Sequence, residues 1–133
     1  MPQVDVLQEM FVAAPPRRVA DRLADPAVPA ALWPDLTVTV TERRGDEGRR
    51  YAVDGAWRGT AELWLEPCAD GVLVHAYLRV DRAAGVPSAA ACGREWRRRD
   101  AAMRRALWPY KDELEADRSP GDPVAPRPRA HAE

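Results

Sequence analysis

GVLVHAYLRV (71–80), followed after a short linker by ACGREWRRRDAAMRRALWPYKDELEAD (91–117), decides how this chain is read. In the first stretch Val72, Val74, Ala76, Leu78 and Val80 share one parity, and Leu73, His75, Tyr77 and Arg79 the other, the period of a strand with one apolar face. In the second, Trp96, Met103, Leu107, Tyr110 and Leu114 recur at helical spacing and form one apolar stripe. Strand-like segments fill 36–80, so the order is a run of strands closed by one long helix. A curved sheet with that helix in its hollow is a way to enclose a pocket.

Working outward, 60–66 alternates Ala61, Leu63 and Leu65 against Glu62, Trp64 and Glu66, and Pro67 to Gly71 is a hairpin connection. Residues 49–56 read as another strand, with Tyr51 and Val53 on one face; Gly55 and Gly59 flank Trp57 and predict a bulge or kink there. Residues 36–41 alternate Leu36, Val38 and Val40 with three threonines, a half-buried β-branched strand, and a polar turn at 43–48 follows it. At the N-terminus, 4–12 reads as a first strand. Ala14-Pro15-Pro16 then opens a short helix over 16–24, proline being tolerated in a first turn, and a second short helix spans 28–33. About five strands result, and no hairpin is evident within 49–65. Pro109 should kink the last helix or remove one of its hydrogen bonds.

Composition narrows the possible functions. The chain has 133 residues, one domain's worth. A net charge of −1 gives no electrostatic reason to expect nucleic acid or an anionic membrane as partner. Lys111 is the sole lysine, and Ile and Asn are absent, the mark of a GC-rich coding sequence; arginine richness is therefore discounted as a functional sign. Cys68 and Cys92 share no metal spacing and read as two reduced thiols. There is no signal-peptide pattern and no apolar run near the ~20 residues of a membrane span, so a cytoplasmic location is expected. Residues 1–118 are read as the folded domain and 119–133, rich in proline without apolar periodicity, as a disordered tail. No phosphate loop, Ser-His-Asp ordering, CxxC pair or HExxH occurs, so no metal or cofactor is expected.

The residues also resemble a family. Ala14-Pro15-Pro16 with Val19 behind it, Leu32-Trp33-Pro34 before the second strand, 59–67 and Asp70-Gly71-Val72 are similar, in that order, to segments of the START-like (SRPBCC) superfamily, especially small actinobacterial polyketide cyclase/dehydrase or lipid-transport proteins. The resemblance covers about 4–118. It implies an α+β helix-grip fold: a curved antiparallel sheet around a long C-terminal helix, two short helices after strand 1, and an apolar cavity between sheet and helix for a lipid, sterol, hormone or polyketide. Some members catalyse cyclisation or dehydration. The reduced strand count departs from the family and favours a small or open cavity, completed in one reading by a second subunit.

From the apolar faces, the expected pocket wall is Val38, Tyr51, Val53, Leu65, Val74, Leu78, Met103 and Leu107, with Trp33 and Trp57 near its mouth; the same residues would equally build a plain core. Asp100 falls within the helix stripe between Trp96 and Met103. It is either an anchor for a ligand hydroxyl or a proton acceptor, or else pairs with Arg104 one turn on. Asp100 and Tyr51 are the candidates for proton transfer, with His75 as a lesser one. His75 lies on the mixed strand face and is expected at the surface. The arginines 94, 97, 98, 99, 104 and 105 read as a solvated helix face or a patch for an acidic partner, and Trp64, Tyr77 and His75 as a sheet face that could serve a homodimer. Three functions therefore stand: binding of a hydrophobic small molecule, polyketide cyclisation or dehydration, and a homodimeric interaction module with a vestigial cavity.

Overall fold

The period-two segments become the strands β1 (Val4–Val12), β2 (Thr37–Arg43), β3 (Gly48–Asp54), β4 (Trp57–Cys68) and β5 (Gly71–Arg82). Helices α1 (Pro16–Leu23) and α2 (Ala27–Leu32) follow β1, and α3 (Ala89–Leu114) closes the fold. This computed structural model describes residues 1–116. The expected tail at 119–133 lies outside the described residues, and α3 ends short of Asp117.

The five strands form one antiparallel sheet in the order β1-β5-β4-β3-β2. Alternation decides its faces. Val4, Val6, Met10 and Val12 of β1 point inward with Tyr51 and Val53 of β3, Ala61, Leu63 and Leu65 of β4, and Val72 to Val80 of one parity on β5. Two segments differ from the sequence reading. The stretch 49–65 does contain a hairpin: β3 and β4 pair from Gly48↔Trp64 to Val53↔Gly59 around a turn at Gly55 and Ala56. Gly59 marks no bulge; a Cβ there would sit 2.1 Å from the Arg79 carbonyl oxygen, so the glycine permits close approach to β5. The polar turn after β2 contains one turn of 3-10 helix, Gly45–Glu47.

Pro15 and Pro16 start α1 where a missing N–H leaves nothing unsatisfied. Together α1 and α2 bury Val19, Ala20, Leu23, Val28 and Leu32 against the sheet and α3. Ser88 caps α3, its hydroxyl accepting from the Ala91 N–H at 3.1 Å. α3 contacts β1 most extensively and runs in the same direction. Trp96 Nε1 donates to the Asp5 carbonyl (2.9 Å), Lys111 Nζ to the Phe11 carbonyl (2.6 Å), and the Ala13 N–H to Glu115 Oε2 (2.7 Å). The lengths match: eight strand steps from Asp5 to Ala13 span about 26 Å, and nineteen helical steps from Trp96 to Glu115 about 28 Å. Side chains of α3 thus satisfy backbone groups on the free edge of β1, which would otherwise invite another chain.

The stripe that α3 buries is not the one its hydrophobicity suggests. Glu95, Arg99, Met103, Leu107 and Leu114 are buried, whereas Trp96 is 41% exposed and Tyr110 half-buried. Stepping back by four from Met103 reaches Arg99 and Glu95, two charged residues. Trp96 lies to one side, with its indole N–H on β1.

Candidate functional site

All ten expected wall residues lie on the helix-facing side of the sheet or on what packs against it, and all are buried except the half-buried Val38. They do not form one patch. Leu65 and Trp57 stand eight residues apart on β4, about 26 Å, so a small molecule cannot touch both. Trp33 and Trp57 do not flank a mouth: they are 0% and 6% exposed. Trp57 carries the Arg82 guanidinium over its ring at 5.6 Å.

The chemically distinct part is where Trp33 meets Tyr51. Trp33 follows α2, whose end it caps, and is turned inward by its own N–H bond to the Pro29 carbonyl (2.9 Å) and by the Leu36 N–H bond to its carbonyl (3.1 Å). Tyr51 sits on β3 between Val40 of β2 and Ala61 of β4. The two rings meet edge-on, with centroids 5.9 Å apart. Among the described residues neither Trp33 Nε1 nor Tyr51 Oη has a hydrogen-bond partner, although both are buried. Leaving such a group unmatched costs about 1–3 kcal/mol. Burial pushes the Tyr51 phenol up to about 12, the charge of Arg49 opposing it. At neutral pH Tyr51 is therefore a hydrogen-bond donor.

Beside this pair lies a charge network that sequence reasoning missed. Arg99 is 1% exposed. Its Nη1 and Nη2 donate to the two carboxylate oxygens of Asp35 (2.6 and 2.8 Å), and its Nε donates to Glu95 Oε2 (2.7 Å). Arg98 adds bonds to Glu95 (2.9 and 3.2 Å) and to Asp35 (3.4 Å). Partial burial pushes the Asp35 carboxyl up, but hydrogen bonds and charge from Arg99, with help from Arg98, hold it below the usual carboxylate range. The hydrogen bonds to Glu95 raise Arg98 against the opposing effect of burial. The available signal was the Glu95–Arg99 spacing of four on the register of Met103 and Leu107.

Asp100 is not in the stripe. It is half-buried and accepts a hydrogen bond from Gln8 Nε2 on β1, not from Arg104. His75 does lie on the outer sheet face, but it is 4% exposed rather than a surface group. Trp64 stacks on it at 4.3 Å and Tyr77 flanks it at 6.3 Å. Nε2 meets Glu66 at 3.0 Å; Nδ1 lies 2.8 Å from Glu9, off the hydrogen-bond direction. Cys68 and Cys92 are free thiols. Among the described residues no group of three or more His, Cys, Asp or Glu could hold a metal ion.

Among the described residues, hollows of several hundred Å³ open to the surface. One of about 410 Å³ lies between α2 and α3, lined by Ala31, Pro34, Ala102, Ala106, Pro109 and Tyr110 among others. Pro34 directly follows Trp33, and Pro109 supplies no N–H for the Arg105 carbonyl at the same groove. A second, about 660 Å³, follows α3 past Trp108, and a third, about 500 Å³, lies beside Tyr77 and Arg79.

Solved structures share this architecture. An Aha1 dimer from Colwellia psychrerythraea aligns with a TM-score of 0.61 at 13% identity, over 87% of this chain and 99% of that one. The chain has the START-like helix-grip fold. DR_A0006 from Deinococcus radiodurans aligns at 0.62 with 12% identity, over 85% of this chain and 98% of its own. TTHA0849 from Thermus thermophilus gives 0.54 at 16% identity, over 86% and 99%. No protein-family model matches the chain, and no curated protein matches its sequence. Among the described residues no helix is long and apolar enough to cross a membrane.

Proposed function

We propose that this START-like protein binds a neutral hydrophobic small molecule, a lipid, polyketide or aromatic metabolite, between the sheet and α3. The observation that carries this reading is the pair of buried, unmatched polar atoms, Trp33 Nε1 and Tyr51 Oη, in an interior whose buried charged groups, Arg99 and Glu95, are matched to each other. Both are donors at neutral pH, so the ligand that suits them presents an acceptor oxygen, as a ketone, quinone or ester does. Arg99 already faces two carboxylates, so an anionic ligand would find its charge taken. The affinity comes from burying apolar ligand surface at about 25 cal/mol per Å². The α2–α3 groove, whose wall includes Pro34, next in the chain to Trp33, is one route in; the hollow beside Tyr77 and Arg79, which Tyr51 itself lines, is the other. Both volumes fall in the range of small-molecule pockets. Because Trp33 and Met103 are fully buried, occupancy of this space requires them to move aside.

Cyclisation or dehydration would need a proton-transfer group in the same space. Asp100 faces Gln8 on β1, and Tyr51 stands on β3 with β5 and β4 between them, about 14 Å across the sheet. Tyr51, held protonated by burial, orients rather than abstracts. Binding without turnover is the reading this arrangement favours.

The test is titration with the neutral naphthyl ketone dye Prodan, alongside native mass spectrometry of the protein as purified. Saturable, blue-shifted uptake is expected, weakened about tenfold by Trp33→Phe and by Tyr51→Phe, the loss of one hydrogen bond each. Absence of saturable uptake together with no retained small molecule would sink the proposal. Equal affinity in wild type and both variants would remove Trp33 and Tyr51 from the site.

A further inference from the structure

The arginines of α3, a solvated face or a patch for an acidic partner in the sequence, are divided by the structure. Arg98 and Arg99 are taken by Glu95 and Asp35. Arg94, Arg97, Arg104 and Arg105 are exposed and have no carboxylate, carbonyl or ring partner among the described residues. Guanidiniums elsewhere are matched: Arg17, Arg22, Arg44 and Arg58 each face a carboxylate at 3.9 Å or less, and Arg43 is the one other exception among the described residues. A GC-rich coding sequence accounts for how many arginines there are, not for the unmatched ones gathering on one helix.

The four share a face. At 3.6 residues per turn they fall, with Ala101 and Trp108, within about 100° of helix arc, opposite the buried Met103 and Leu107 and along about 21 Å of axis. Trp108 is 48% exposed, and the shallow, mainly apolar hollow beside it is lined by Ala101, Arg104, Arg105 and Pro109. One acid, Asp112, shares the arc, a turn past Trp108. The chain's net charge of −1 conceals this separation of charge.

We propose that this face of α3 docks on an anionic lipid bilayer, with the four guanidiniums against the headgroups and the Trp108 indole at the interface. A cation without a carboxylate beside it keeps its charge for an outside partner, and a basic cluster on a helix is drawn to acidic lipid at short range. Arginine stems are long enough to hold their heads among headgroups while Ala101, Trp108 and Pro109 meet the acyl boundary, where tryptophan is favoured. A polynucleotide fits less well: it takes a basic groove with several stacking aromatics, and here a single indole stands on the convex side of a helix. The α2–α3 groove shares Arg105 and Pro109 with this face, so docking brings that route to the bilayer. This last consequence rests on the ligand site proposed above; the docking does not.

Co-sedimentation of the full chain with vesicles tests this, with phosphatidylcholine alone set against phosphatidylcholine mixed with phosphatidylglycerol. Binding to the mixed vesicles alone is expected, and high salt should release it. Arg94→Gln, Arg97→Gln and Arg104→Gln together should lower the partition coefficient about a hundredfold, roughly fivefold for each cation. Trp108→Ala should lower it severalfold and leave the salt dependence unchanged. All four positions are exposed, so thermal melts of these variants should match the wild type. No binding to mixed vesicles at low salt, equal binding to neutral ones, or full binding by the triple variant or by Trp108→Ala overturns the proposal. Tighter binding to single-stranded DNA or to polyglutamate than to vesicles also overturns it, and gives the face to a soluble acidic partner. Prodan uptake is measured without vesicles, so the two proposals fail separately.

Discussion

Arg99 and Asp35 meet fork to fork, two guanidinium nitrogens on two carboxylate oxygens at 2.6 and 2.8 Å, and this pair ties the middle of α3 to the segment between α2 and β2. It fixes Asp35, two residues after Trp33, against the helix. Bidentate geometry fixes direction as well as distance. Arg99→Met leaves Glu95 buried without its closest partner and should cost about 3 kcal/mol in urea unfolding, softened by Arg98. Replacing Glu95 as well, in Arg99→Met with Glu95→Met, should recover most of that loss, because an apolar pair of similar volume leaves no stranded charge.

The same pair sets an acid limb. Asp35 has a lowered folded-state pKa, so its ionised form favours the fold. Its contribution is complete above the unfolded carboxyl value of about 3.9 and is lost as pH falls through the lower folded value. Asp54 and Glu113, lowered by hydrogen bonds from Arg58 and Arg22, act in the same direction but at exposed sites where solvent screens them. Thermal melts between pH 6 and pH 2 should fall steeply below pH 4 for the wild type and less steeply for Asp35→Asn, which starts lower at pH 6.

Removing the Tyr51 hydroxyl should not weaken the protein. In most proteins a buried tyrosine hydroxyl has a partner, and Tyr→Phe is destabilising; here the Oη has none among the described residues. Tyr51→Phe is expected to leave unfolding free energy unchanged or raise it by about 1 kcal/mol. A loss above that amount would mean the hydroxyl is matched in solution.

Trp96 separates the observed stripe from the one inferred from hydrophobicity. A core tryptophan truncated to alanine costs about 3–5 kcal/mol. Trp96 is partly exposed and holds one hydrogen bond to the Asp5 carbonyl, so Trp96→Ala should cost nearer 1 kcal/mol. Met103→Ala, one to two turns on and fully buried, should cost about 2–5 kcal/mol in the same assay.

Gly48 is a strict requirement of the β3–β4 ladder. Its φ is +105°, and a Cβ there would stand 2.0 Å from the Leu63 carbonyl oxygen. Gly48→Ala combines a strained backbone with a collision against main chain that cannot rotate away. It should cost about 3 kcal/mol by chemical denaturation.

What the sequence disclosed was periodicity. The strands, the two short helices, the first begun by prolines, and the closing helix follow from spacing two and spacing near four, local properties that survive folding intact. The parity of Tyr51, Val53, Leu65, Val74 and Leu78 likewise gave their inward face. Errors arose where an apolar residue was assumed to point inward and a charged one outward. Trp96 draws the inferred stripe off its axis, so that Asp100 falls within it and Arg99 outside it. A guanidinium goes inside only when carboxylates converge on it, and Asp35 comes from a segment sixty-four residues away. His75 shows the converse: it lies on the outer face as its parity demands, yet Trp64 from the neighbouring strand covers it. Gly55 and Gly59 suggest one irregularity in the sequence, but one sits in the turn and the other in the ladder it joins.

The contact between β1 and α3 joins the two ends of the described chain. As the polypeptide leaves the ribosome, its first strand has no neighbour until β5 is made, and its outer backbone stays bare until Lys111 and Glu115 follow. The hairpins β2–β3–β4 can pair as they are made, but β1 must wait, and the closing step joins residues about a hundred positions apart, a costly loop that slows folding. A nascent chain stalled before the last helix would expose the outer edge of Val4–Val12 as an unguarded template for other chains.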